Sequence, residues 1–212
     1  MKKWFEFQES IQKNLQNETT SFIEQNIAHE MDYFNKWVYS NKENWKLKPC
    51  FGSDAYVDHI LASYDHKDLD KDTLTEWIKD PEYNFIMRVS GREYEIKLNE
   101  NEEKFKNILK PYFKIDWETA SMEIFVQAPG QCFPLHYDIY KKNMFKIEEE
   151  KVHRYIIMLD DQKPGQVFLM GDQYIEWKKG DVIAWKQTTL LNGTANFGYW
   201  DRAKIRITAR SL

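Results

Sequence analysis

His136 and Asp138 are an imidazole and a carboxylate two positions apart in Pro134-Leu135-His136-Tyr137-Asp138. Side chains alternate faces along a strand, so residues i and i+2 project to one side and can grip a single ion. A third donor from elsewhere in the chain would complete such a site, and the remaining coordination positions would stay open to a reacting molecule. The C-terminal run Leu191-Asn192-Gly193-Thr194-Ala195-Asn196-Phe197-Gly198 offers an amide at 192, and Arg202 follows ten residues later. A planar guanidinium makes bidentate, charge-assisted bonds to a carboxylate, so Arg202 suits an anionic ligand.

These groups need strands to hold them. From Met122 the pattern turns strand-like, with short runs at 122–128, 135–140, 152–159, 166–170, 174–177, 182–186, 189–197 and 203–209 separated by Pro-Gly and Lys-Lys-Gly-Asp turns. Eight such runs predict a jelly roll, the double-stranded β-helix also found in cupins. Upstream, Ser21-Phe22-Ile23-Glu24 has the form of a capping box, and Ile23, Ile27, Met31, Phe34 and Val38 mark one apolar helix face. Thr73 to Glu76 repeats the capping pattern, and a further helix is expected from near Asn99, with Phe105, Ile108, Leu109 and Tyr112 on one side. Alternation on both sides of Ser90-Gly91 predicts a β-hairpin over 84–97 that extends a sheet edge. The expected organisation is a single domain, 1–212, mainly β with flanking helices. Residues 1–120 form a mainly helical N-terminal layer over one sheet, and residues 121–212 form the β-helix core.

Length suffices for a sizeable core. Net charge is −4 with 30% charged residues spread along the chain, so no basic stripe points to nucleic acid. Two cysteines, Cys50 and Cys132, lie far apart and form no Cys-x-x-Cys zinc pattern or disulfide framework. Neither an apolar leader nor a membrane-length apolar run is apparent, so a soluble protein of the reducing cytoplasm is expected, without a membrane partner. No phosphate-cradling Gly-rich loop and no Ser- or Cys-centred nucleophile motif is present.

The ordered set of motifs resembles the double-stranded β-helix of the Fe(II)/2-oxoglutarate-dependent oxygenases, most of all their aspartyl/asparaginyl- and prolyl-hydroxylase-like branches. His136-Tyr137-Asp138 resembles the family's His-x-Asp, and Arg154-Tyr155-Ile156-Ile157-Met158-Leu159-Asp160 resembles its next core strand. Pro164-Gly165-Gln166-Val167-Phe168 is similar to the following turn and strand, and Trp177-Lys178-Lys179-Gly180-Asp181 to a Trp-x-x-Gly-Asp hairpin. Asn192 to Gly198 resembles His-x-x-x-Asn-x-Gly, and Arg202 falls where the family keeps the Arg that pairs with the far carboxylate of 2-oxoglutarate. The resemblance implies Fe(II) held by His136, Asp138 and position 192, with His136 and Asp138 at the catalytic centre. It also implies 2-oxoglutarate and dioxygen as co-substrates, and hydroxylation of an amino-acid side chain, free or in a peptide or protein.

The chain departs from the pattern at Asn192, where the family has its second metal-binding His. An amide oxygen is a neutral, weak ligand for Fe(II). Three readings stay open: Asn192 ligates directly or through water; it marks an impaired relative that binds 2-oxoglutarate or a partner without turnover; or it is a deliberate substitution. Arg154 and Tyr155 are both candidates to assist the co-substrate. Because neighbours on a strand face opposite ways, only one of them points into the roll. Arg206, four residues beyond Arg202, is the second candidate for the carboxylate. A sugar-binding or isomerase-type jelly roll would share the architecture but leaves the position of Arg202 unexplained.

Overall fold

The computed structural model describes residues 22–47, 93–136, 152–186 and 192–210. In chain order the elements are strand β1 (Ile23–Asn26), helix α1 (Ala28–Ser40), β2 (Trp45–Leu47), β3 (Tyr94–Ile96), helix α2 (Glu102–Leu109) and β4 (Ser121–Gln127). There follow β5 (Cys132–His136), β6 (Val152–Met158), β7 (Gln166–Met170), β8 (Gln173–Tyr174), β9 (Asp181–Lys186), β10 (Asn192–Asn196) and β11 (Arg202–Arg210).

The strands form a seven-stranded sheet in the order β1-β9-β6-β11-β4-β3-β2 and a four-stranded sheet in the order β5-β10-β7-β8. From β4 onward the chain passes back and forth between the two, with β4, β6, β9 and β11 in the larger sheet and β5, β7, β8 and β10 in the smaller. All recorded pairings are antiparallel. This winding is that of a double-stranded β-helix, the expected mainly-β fold with flanking helices.

Period-two alternation on the central strands sorts two cores. On β11, Ala203, Ile205, Ile207 and Ala209 turn outward with Ile124 and Val126 of β4 and Ile157 of β6, against Met31, Phe34 and Val38 of α1 and Phe105 and Leu109 of α2. Phe105 is the aromatic hub of this layer, with edge-on rings of Phe34 at 5.1 Å and Trp37 at 4.8 Å. The inward residues Ile156, Met158, Ile183 and Trp185 meet Phe168 and Met170 of the smaller sheet, together with Ile175 and Trp177. The helices cover one sheet, as expected.

Two local readings need correction. The capping-box reading at Ser21–Glu24 fails: Ile23–Asn26 is a strand paired with β9, Ile23 opposite Ile183 and Asn26 opposite Asp181. The edge of β9 offers unpaired backbone groups, and pairing them outweighs the local helix signal. The helix starts one turn later, where the Asn26 side chain accepts the Ala28 N–H (3.0 Å). Its expected apolar face, from Ile27 through Met31 and Phe34 to Val38, is buried. Tyr94–Ile96 does extend the sheet through β4, and its other neighbour is Trp45–Leu47. The first arm of the expected hairpin (84–89) and the Thr73 capping pattern lie outside the described residues.

The Trp177-x-x-Gly180-Asp181 turn ties helix to roll. Gly180 has φ +82°, and a Cβ there would lie 2.2 Å from the Ala28 nitrogen. Its carbonyl accepts the Ile27 N–H (2.9 Å), its own N–H reaches Met158 O (2.8 Å), and Asp181 closes the turn by accepting the Lys178 N–H (2.8 Å).

Candidate functional site

β5 and β10 lie side by side, with backbone position 192 directly opposite position 136. Asn192 is 6% exposed and faces the space between the sheets, together with Thr194 of the same strand. Across that space stand Arg154 of β6, Lys204 and Arg206 of β11, and Glu93. Phe168, Ile156 and Trp185 supply the apolar part of the wall, and the free volume between these groups is about 30 Å³, on the order of one water molecule.

Charge in this interior is arranged in pairs. Lys204 Nζ lies 3.0 Å from a Glu93 carboxylate oxygen, both residues being buried. Burial pushes the Lys204 ammonium below its usual pKa, while Glu93 pulls the other way. Arg206 donates from Nε (2.8 Å) and Nη2 (2.5 Å) to one Glu123 oxygen, and its guanidinium lies over the Phe125 ring (4.4 Å). A buried ion needs such partners to offset its lost hydration.

Arg202 has a different environment. It is 2% exposed and opposite Gln127 in the β11–β4 register. Nη1 donates to Val167 O (2.9 Å) and Nη2 to Gln127 Oε1, while Gln127 in turn donates to Thr194 Oγ1 (3.3 Å). The guanidinium stacks over Trp177 at 5.6 Å, and Nε is buried with no acceptor among the described residues. Desolvation lowers its pKa to about 10, with Glu93 opposing. Arg202 therefore sits on the same face as Lys204 and Arg206 but is bonded to neutral acceptors, with the Gln127 carboxamide between it and Thr194.

Arg154 and Tyr155 separate as alternation requires. Arg154, opposite Trp185 on β9, lines the inter-sheet space. Tyr155 belongs to the helix-covered core, its ring 5.2 Å from Phe113 and its hydroxyl 3.1 Å from His153 Nδ1. This position corrects Tyr155 as a co-substrate candidate: its side chain is turned away from the roll's interior. Asp138 lies outside the described residues. Among the described residues, no three His, Cys, Asp or Glu side chains gather as a metal site.

Asn196 braces the turn leading to Arg202: its amide donates to Gln127 O (2.8 Å) and Trp200 O (2.7 Å), and its oxygen accepts the Gly198 N–H (3.2 Å). Lys204, Glu93, Glu123, Gln127, Thr194 and Trp185 are absent from the set expected from sequence. The cations had a readable signal, because Arg202-Ala203-Lys204-Ile205-Arg206-Ile207 alternates charge with apolar residues and so aligns three cations on one face.

Strand order and interior together define a double-stranded β-helix protein of cupin-like architecture. Similar solved structures include a predicted oxalate decarboxylase from Thermotoga maritima (15% identity, 57% of this chain and 82% of that one, TM-score 0.35). A cupin-superfamily sugar phosphate isomerase from Silicibacter pomeroyi is similar at 8% identity over 56% of this chain and 60% of that one (TM-score 0.35). An RmlC-like cupin from Methanocaldococcus jannaschii is similar at 13% identity over 43% and 70% (TM-score 0.32). No family model and no curated protein matches the sequence.

Proposed function

We propose that the chain is an Fe(II)- and 2-oxoglutarate-dependent dioxygenase that hydroxylates an amino-acid side chain, free or within a peptide or protein. The observation that carries this reading is the register of His136 against Asn192 on the wall facing Arg154, Lys204, Arg206 and the buried Arg202. The donor set suits the group: one imidazole, one carboxylate two residues on at Asp138, and one amide, beside a cationic interior suited to a dicarboxylate. Among the described residues Arg202 is bonded only to neutral acceptors, and a carboxylate would offset the cost of burying its charge.

When bound, Fe(II) would supply the centre at which dioxygen and 2-oxoglutarate become succinate, carbon dioxide and one oxygen atom delivered to a substrate C–H bond. His136, Asp138 and Asn192 would hold the metal, Arg202 would receive the far carboxylate, and Arg154 would stand beside the co-substrate. Arg202 is bonded to the Gln127 carboxamide, which the far carboxylate would replace on this reading.

Asn192 itself favours a second reading, a relative that binds the dicarboxylate without turning it over. Aerobic 2-oxoglutarate consumption with Fe(II), measured for this chain and for Asn192→His, separates the two. Turnover in both supports the enzyme, turnover only in the variant supports the binding protein, and turnover in neither removes the oxygenase reading. A screen of amino acids and peptides for a mass gain of one oxygen would then name the substrate.

A further inference from the structure

Trp185 lies on β9 opposite Arg154, is 6% exposed, and helps to wall the inter-sheet space with Asn192 and Thr194 across from it. Its ring packs edge-on against Phe168 (6.4 Å, 79°), which holds the indole in place. Its Nε1–H is buried with no hydrogen-bond acceptor among the described residues. Buried indole N–H groups ordinarily find a partner, because leaving one unmade forfeits its hydration without return. A buried donor held in place beside cationic side chains is an arrangement suited to an oxygen-rich anion.

We propose that the Trp185 indole N–H is a hydrogen-bond donor to the carboxylate-bearing guest of the β-roll, making Trp185 a ligand-binding residue rather than core filling alone. This rests on the co-substrate reading above and adds a residue to it. An indole donates but cannot accept, so it selects a guest that presents lone pairs at that point and disfavours an ammonium. Phe168 and Ile156 supply an apolar flank beside the indole.

Indole ¹H–¹⁵N spectra of the whole chain test this, with the Trp185 resonance assigned by its loss in Trp185→Phe. The probes are 2-oxoglutarate and the redox-inert succinate. The expected result is a downfield shift of that resonance on titration, and a Kd for 2-oxoglutarate raised about tenfold or more in Trp185→Phe, the effect of one bond to a charged acceptor. Replacement of Trp185 by benzothienylalanine, which keeps the ring shape and lacks the N–H, should weaken binding similarly with the fold intact. An unmoved Trp185 resonance with backbone amides of β6 and β10 shifting, or an unchanged Kd in both variants, would overturn the role of Trp185 and leave the co-substrate reading standing. No shift anywhere, in this chain or in Asn192→His, would overturn both.

Discussion

Asn192 stands directly opposite His136 in the antiparallel pairing of β10 with β5. In the proposed metal site that register pair sets the affinity, because one of its members is a neutral amide where an imidazole would bind far more tightly. Replacing Asn192 by His should raise Fe(II) affinity by about tenfold or more, while Asp138→Ala should lower it further than Asn192→Ala does, since the carboxylate brings charge and the amide does not. Metal titration of the three variants checks the order, and equal losses in the two alanine variants would make the amide a full ligand.

Arg154 and Tyr155 occupy opposite faces of β6, so their substitutions should separate cleanly. Arg154→Ala should weaken succinate or 2-oxoglutarate binding by about tenfold, the scale of one charge-assisted contact. Tyr155→Phe should leave it unchanged. Calorimetric titration of both variants tests the assignment, and a matching loss in Tyr155→Phe would contradict it.

Tyr155 should make itself felt in alkali instead. Burial, with Glu24 adding, raises its pKa from 10.0 to about 12 in the folded chain. The native state then holds a proton that the unfolded chain has given up, so the associated stability is present below pH 10 and is lost as the pH rises toward 12. Tyr39, raised by burial and by Asp160, contributes with the same sign. Urea denaturation at pH 8 and at pH 11 should show this loss, with a shallower fall in Tyr155→Phe.

Phe105 contacts Phe34, Trp37 and Tyr33 edge-on and is fully buried. Truncating it to Ala removes the hub of the helical layer and should cost about 3–5 kcal/mol. Chemical denaturation provides the value. A loss under about 1 kcal/mol would mean that the helices are not anchored there.

Gly180 allows the turn before β9 to approach the start of α1. Gly180→Ala should destabilise by about 1–3 kcal/mol from the left-handed backbone alone, with the clash against Ala28 in addition. A thermal melt showing no change would refute the close approach.

Much of the roll was legible because its strands obey simple alternation between short turns. Runs expected at 166–170, 182–186 and 203–209 match β7, β9 and β11 to within a residue or two. The apolar face of α1 was legible for the same reason, since Met31, Phe34 and Val38 repeat at helical steps. Ile23 to Asn26 misled because a capping pattern is local, whereas the partner that decides its conformation, β9, is more than 150 residues away. At the candidate site, motif order singles out positions 136 and 192, but not the ion pairs Lys204–Glu93 and Arg206–Glu123. They join segments far apart in the chain, and neither acidic residue belongs to a motif that would single it out.

The layering of helix on sheet has a mechanical consequence. The larger sheet is backed by α1 and α2 with fully buried aromatic rings, whereas among the described residues the smaller sheet has no helix behind it, and its β7 alternates buried with half-buried side chains. Backbone amides of β11, whose outward residues pack under α1 and α2, should therefore exchange with deuterium later than those of β10.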